Sequence, residues 1–210
     1  MDPLLANLNL HHAFDRWMAE VNHQNPFERY ADDIVIHCNS KEEAEQLLEK
    51  LKVRMHEFEL TLHPEKTKIV CCKNYQRLKK HNNESFTSLS YSFQPRTIKS
   101  KLGGRFLIFG AGIFNAAKTH IKTCIKEILR TQRSTLTLEW FAGKPNPKIR
   151  GWINYYTRFS KKEAHSVFYY LNELIRKWIR NKYKIQGTKL MHKKYELLQA
   201  ETPLLFYHWK

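Results

Sequence analysis

The sequence predicts an α+β fold, with a small antiparallel sheet and its helices over residues 1–95 and an all-α body over residues 116–210. A basic, glycine-containing linker over 96–115 is expected to join them. Three observations carry this reading. The adjacent carboxylates Asp32 and Asp33 stand between two runs that read as strands, and Val35 and His37 alternate with Ile34 and Ile36 in the second, as in a hairpin. Apolar residues recur at helical spacing over 44–58, 117–128 and 164–178. Between the two halves Pro95, Gly103, Gly104, Gly110 and Gly112 interrupt any period.

The elements follow in chain order. Phe14, Trp17 and Met18 give the N-terminal segment one apolar helical face, on which Asp15 is expected at the surface or in a salt bridge. The hairpin comes next. Residues 41–59 then form a helix whose stripe is Ala44, Leu47, Leu48, Leu51, Met55 and Phe58, opened by a capping box of Ser40 and Glu43. Leu60 to Cys72 reads as a turn and a strand, Lys73 to Ser85 as a polar loop or hairpin, and Phe86 to Phe93 as one strand. In the second half, Ala117, Ile121, Ile125 and Ile128 face a core. Trp152, Tyr155, Tyr156 and Phe159 are spaced as a helical aromatic stripe, of which Trp152 and one tyrosine are expected to be buried. A second capping box, Ser160 with Glu163, precedes a long helix with Ala164, Val167, Phe168, Leu171, Leu174, Ile175 and Trp178 on its core face.

Charge is unevenly distributed. The net charge is +16, yet residues 1–70 hold 8 Lys and Arg against 13 Asp and Glu, whereas residues 71–210 hold 28 against 7. An excess of that size interleaved with aromatics points to a polyanion as partner. The basic residues are spread over many elements instead of one amphipathic helix, which argues against a membrane surface. No apolar run approaches the length of a membrane span and no secretory signal is visible. Cys38, Cys71, Cys72 and Cys124 lack C-x-x-C spacing, so reduced thiols in a cytoplasmic protein are expected and a zinc site is not. Lys118, Lys122, Lys126 and Arg130 recur at every fourth position. Such a stripe can track a phosphate backbone or form an ordinary solvated face.

The acid pair Asp32-Asp33 carries the sharpest chemistry. Adjacent carboxylates are common in exposed turns, where they cap the backbone. They are also hard oxygen donors of the kind Mg²⁺ takes, and paired metal ions serve nucleotidyl transfer. The sequence context favours the second reading. Tyr30-Ala31-Asp32-Asp33, followed by a helix and by Leu60-Thr61-Leu62-His63-Pro64-Glu65-Lys66-Thr67-Lys68, resembles the palm of reverse transcriptases, above all those encoded by bacterial group II introns. Pro145-Asn146-Pro147-Lys148-Ile149-Arg150-Gly151-Trp152-Ile153-Asn154-Tyr155-Tyr156 resembles the maturase-specific region, or domain X, that follows the palm in that family. The closing Leu205-Phe206-Tyr207-His208-Trp209 is similar to the family's terminal motif.

The resemblance implies a partial reverse transcriptase palm over 1–95 and a maturase-specific thumb over 116–210. By carry-over, Asp32 and Asp33 are the catalytic and metal-binding residues for Mg²⁺. Tyr30 and Ala31 lie near the primer end or nucleotide, and Lys66 matches a palm lysine. Phe86 to Arg96 resembles the primer-grip segment, with Ser90 where the family has glycine. Intron RNA is the implied partner, contacted by Arg96, Lys99, Lys101, Arg105, Lys118, Lys122, Lys126, Arg130, Lys148, Arg150, Tyr155, Tyr156, Arg158, Arg176 and Arg180; a DNA target or primer is a further one. The family match begins mid-domain at Pro3-Leu4-Leu5-Ala6-Asn7. A third carboxylate, which the family carries on an earlier strand, has no counterpart among Asp2, Asp15, Asp32 and Asp33. The expectation is therefore an RNA-binding chain with Mg²⁺ held weakly or not at all and no polymerase activity alone. The alternatives are completion in trans by an N-terminal reverse transcriptase fragment, or an RNA-binding scaffold without catalysis.

Overall fold

The computed structural model describes residues 2–76, 81–100, 103–130, 136–159 and 161–209, the last segment from its backbone alone at 161–163. Its described elements mix helix and sheet, in agreement with the expected class. They fall into two compact units, one of residues 1–86 and 95–108, the other of 87–94 and 109–210.

The first unit opens on helix α1 (Pro3–Leu10), capped by the Asp2 carboxylate, which accepts from the Leu4 amide at 2.9 Å. The chain continues without a break through a π-helical turn (His11–Asp15) into α2 (Arg16–Val21). Strands β1 (Phe27–Tyr30) and β2 (Asp33–Ile36) form an antiparallel hairpin with Tyr30 opposite Asp33 and Arg29 opposite Ile34. This register puts Phe27, Arg29, Ile34 and Ile36 on one face and Glu28, Tyr30, Asp33 and Val35 on the other. Helix α3 (Lys41–Glu57) is the expected amphipathic helix, and its Leu47, Leu51 and Met55 are buried with Ala13, Phe14 and Met18. Phe27, Ile34 and Ile36 pack against that cluster. The cap is half of a capping box: Ser40 Oγ accepts from the Glu43 amide, but the Glu43 carboxylate turns to the Asn39 amide at 2.6 Å and the Asn25 side-chain amide at 2.7 Å. Residues 67–74, read from sequence as partly strand, are irregular. Local bonds, among them Thr67 N–H to the His63 carbonyl and Cys71 N–H to the Asn83 carbonyl, hold part of their backbone instead.

Strands β3 (Phe86–Ser88), β4 (Tyr91–Lys99) and β5 (Arg105–Ile113) lie in that order in a second sheet. Two expectations change here. Phe86–Phe93 is not one strand, because Leu89 and Ser90 have φ of 49° and 66° and turn the chain, the sign pattern of a two-residue I′ hairpin. The stretch 96–115, expected as a linker, is largely strand, because Phe106 to Ile113 is apolar enough to pair and pack.

In the second unit, α4 (Asn115–Arg130), α5 (Leu138–Gly143), α6 (Asn146–Tyr156), α7 (Lys161–Lys182) and α8 (Thr188–Glu201) enclose one core. Ile121, Ile125, Phe141, Ile149, Leu171, Ile175, Ile179 and Phe206 are at most 2% exposed within it. Phe141 stacks on Trp178 with ring centroids 4.3 Å apart and meets Phe206 edge-on. The terminal motif anchors the unit: the Asn146 side chain donates to the Leu205 carbonyl at 2.8 Å and accepts from the Tyr207 amide at 3.1 Å. The capping box expected at Ser160 and Glu163 lies outside the described residues. No helix among the described residues is long and apolar enough to cross a membrane, and none of the four cysteines is disulfide-bonded.

Candidate functional site

The acid pair sits at the tip of the first hairpin. Ala31 and Asp32 form the two-residue loop, and Asp33 begins β2. Only the first loop residue, Ala31, has positive φ, at 53°, the sign pattern of a II′ turn that glycine adopts more cheaply. Both carboxylates are exposed, and neither accepts a hydrogen bond or ion pair from another described residue. They are not spent on capping the turn. Tyr30, 68% exposed, stands beside Asp33 on the open face of the hairpin. Tyr30, Ala31, Asp32 and Asp33, consecutive in the chain, occupy the hairpin loop and the strand ends beside it. Lys66 is exposed in a separate turn at Pro64–Lys66, closed by the Thr67 amide on the His63 carbonyl, and bonds to neither acid.

The other face of the hairpin holds a residue that sequence reasoning passed over. Arg29 points toward the helical layer, where its guanidinium makes four bonds. Nε and Nη2 reach the two oxygens of Asp15 at 2.7 and 2.6 Å; Nη1 reaches Asn7 Oδ1 at 2.9 Å and the Ala31 carbonyl at 3.0 Å. The Arg29 guanidinium holds the Asp15 carboxyl below its ordinary pKa, with His11 adding to the effect, and Asp15 in turn raises that of Arg29. Asp15 is therefore in the salt bridge its sequence context allowed. Strand alternation was the available signal for Arg29. An arginine sharing a face with Phe27, Ile34 and Ile36 needs a buried partner.

Two adjacent hard donors without another partner among the described residues fit a Mg²⁺ ion that keeps several waters and takes further oxygens from bound phosphates. Among the described residues no group of three or more His, Cys, Asp or Glu comes together to hold a metal. Asp15 is committed to Arg29.

The cations expected to meet RNA divide into several kinds. On α4, Lys126 and Arg130 are exposed, Lys118 is half-buried, and the half-buried Lys122 holds its ammonium 5.7 Å from the Tyr170 ring. On α6, Lys148 and Arg150 are exposed, Arg150 lying 5.9 Å from the Tyr207 ring, and Arg158 is exposed just beyond the helix. Arg180 is exposed near the end of α7. Lys99 and Arg105 are exposed at facing ends of β4 and β5, Arg96 is half-buried on β4, and Lys101 lies outside the described residues.

Three assignments are corrected. Arg176 is 17% exposed, bonded to Glu173, with its guanidinium 4.6 Å from the Tyr195 ring, so it joins α7 to α8 and is not a free cation. Tyr156 is buried in the core and offers no face to a base. Tyr155 is half-exposed, but its hydroxyl donates to the Leu89 carbonyl at 2.7 Å and its carbonyl accepts from the Tyr91 hydroxyl, so it clasps the β3–β4 turn. Burial pushes the Tyr91 phenol up to about 12, and it remains a donor. Trp152 is half-buried, and Tyr156 is the tyrosine that packs.

Residues 1–109 match the family model described as Reverse transcriptase (RNA-dependent DNA polymerase), and residues 118–195 match the one described as Group II intron, maturase-specific domain. No curated protein matches the chain.

Proposed function

Because the chain belongs to the group II intron reverse transcriptase and maturase family, we propose that it binds structured intron RNA through the helices of its maturase-specific half. One observation carries this reading. Residues 118–195 hold 19 Lys and Arg against 4 Glu, and Lys126, Arg130, Lys148, Arg150, Arg158 and Arg180 among them keep their side chains exposed. Cations so placed contact phosphates, which sets affinity without reading sequence. A primer or DNA target presents the same phosphates and competes for the same face.

The acid pair adds a divalent-ion site. Asp32 and Asp33 would hold Mg²⁺ between them and the phosphates of a bound nucleotide, where the ion would polarise a phosphoryl oxygen. Tyr30 lies on the same hairpin face. Two carboxylates on one turn position the reacting oxygens poorly without further donors, so these 210 residues alone extend no primer. An N-terminal reverse transcriptase fragment added in trans is the partner that would supply such donors.

The test is binding of the purified chain to a structured intron RNA over a salt series. Affinity falls linearly in log–log form as salt rises if the reading holds; an affinity indifferent to salt overturns it. Primer extension on an RNA template by the chain alone, with Mg²⁺ and nucleotides, would overturn the inactive assignment.

A further inference from the structure

The Arg29 guanidinium is the point where three parts of the first unit meet. Asn7 lies on α1, Asp15 closes the π-helical turn, and the Ala31 carbonyl belongs to the acidic loop. The π-helical turn makes that meeting possible. At about 100° per residue an uninterrupted α-helix carries a residue eight positions on about 80° away from the first. A turn closed by an i→i+5 bond holds about one residue more, which returns the later residue to within roughly 20–30° of the earlier one. The Arg16 amide makes such a bond to the His11 carbonyl. Asn7 and Asp15 consequently share a face and bracket one guanidinium.

We propose that Arg29 is a positioning residue for the acidic turn: held from both sides by Asn7 and Asp15, it fixes the Ala31 carbonyl and with it the direction in which Asp32 and Asp33 present their carboxylates. A left-handed alanine is a costly backbone state that persists only where its surroundings dictate it. Here the dictating group is a planar fork whose fixed N–H directions engage a carboxylate with two nitrogens and the loop carbonyl with the third. Side-chain exposures of 14% for Arg29 and 22% for Asp15 keep water from competing for these bonds. Lysine, a point charge, can pair with Asp15 but cannot hold Asn7 and the Ala31 carbonyl as well. The hairpin core of Phe27, Ile34 and Ile36 does not need Arg29 to pack, so loosening the turn and unfolding the unit are separable events.

The consequence for metal binding rests on the divalent-ion reading of Asp32 and Asp33, so the experiment reads turn and metal separately. The full 210-residue chain is compared with Arg29→Lys and Asn7→Ala, and with Asp32→Asn as the metal control. Amide hydrogen exchange at Asp32 and Asp33 reports the turn, and Mn²⁺ titration followed by electron paramagnetic resonance reports the site. Arg29→Lys is expected to speed exchange at Asp32 and Asp33 about tenfold while Leu47, Leu51 and Met55 keep wild-type rates, and to weaken Mn²⁺ at least threefold. Asn7→Ala, which keeps the ion pair, moves both readouts the same way by a smaller factor. Wild-type exchange at the turn in either variant overturns the positioning role. A wild-type chain that binds no Mn²⁺, or whose binding survives Asp32→Asn, removes the metal reading; faster turn exchange in Arg29→Lys then still supports the clamp on the turn. Should Arg29→Lys unfold the unit, Asn7→Ala decides by the same exchange readout.

Discussion

Replacing Lys126 and Arg130 together by glutamine removes two exposed cations one helical turn apart on α4, neither of which has a carboxylate partner among the described residues. Each cation that neutralises a phosphate contributes about 0.7 to 0.9 to the slope of log affinity against log salt, depending on the strand form. If both touch phosphate, the double variant's slope is shallower by about 1.4 to 1.8. Between about 50 and 200 mM salt, a fourfold range, wild-type affinity should then fall roughly tenfold more than that of the variant. Fluorescence anisotropy with a labelled structured RNA measures both slopes. A variant that weakens binding at every salt concentration without changing the slope refutes the phosphate contacts. Arg176→Gln provides the contrast: with its guanidinium bonded to Glu173 and packed on Tyr195, it should lower the denaturation midpoint and leave the slope alone.

Further outcomes are expected from the fold itself. Phe141→Ala empties a fully buried site between Trp178 and Phe206 and should cost about 3–5 kcal/mol in urea denaturation followed by tryptophan fluorescence. Burial lowers the His208 pKa from 6.5 to about 4, so the unfolded chain binds a proton that the native imidazole refuses. Stability should therefore fall as pH drops from about 6.5 to 4, by about 3 kcal/mol in all, and His208→Asn should abolish that dependence. Asp15 titrates below that window. Its pKa is depressed by Arg29, so the stability it contributes is present above the ordinary carboxylate range and lost as pH falls through the lowered value. Asp15→Asn should flatten the acid limb of the first unit's denaturation. Ser90→Gly should raise the unfolding free energy in urea denaturation by up to about 1 kcal/mol, because glycine takes the left-handed φ of 66° without strain.

How much of this was legible depended on whether a local period set the structure. The helix at 41–57, the Ile121–Ile125 face and the Ala164–Trp178 face each bury a stripe that repeats over several turns, and no other arrangement hides it. The hairpin was legible from the two strand-like runs that flank Asp32-Asp33, but Ile34, Val35 and Ile36 are apolar in succession, so its two faces and its loop at Ala31-Asp32 come from the register. What failed was decided by single residues. Leu89 and Ser90 turn the chain although neither favours the positive φ that the turn requires, so the segment read as one strand. Ser90 stands where the similar family segment has glycine, and its own φ of 66° is one that glycine adopts without strain. The π-helical turn at His11–Asp15 has no compositional mark; it exists because Phe14 and Met18 go to the core while Asp15 must reach Arg29.

Counting cations overstates the area that can meet a polyanion, and the error has a physical cause. A long side chain lies along apolar or aromatic surface wherever its stem gains by doing so, and its charge then serves that contact. Arg176 over Tyr195, Lys122 over Tyr170, Lys182 over Trp178 and Lys194 over Tyr183 all do this in the second unit. Aromatic interleaving, which in sequence reads as a base-stacking pattern, is in these four cases the support on which a cation rests. Tyr155 makes the same point from the ring's side, because the hydroxyl that could face a nucleotide holds the Leu89 carbonyl. The proposed phosphate contacts are expected first of exposed cations without such a ring contact among the described residues, namely Lys126, Arg130, Lys148, Arg158 and Arg180; Arg150, exposed but 5.9 Å from the Tyr207 ring, is intermediate between the two kinds. A slope that the single substitutions of these five together account for would identify them as the contacting face. A slope that responds instead to Arg176 or Lys122 would mean that the ring contacts open when RNA binds.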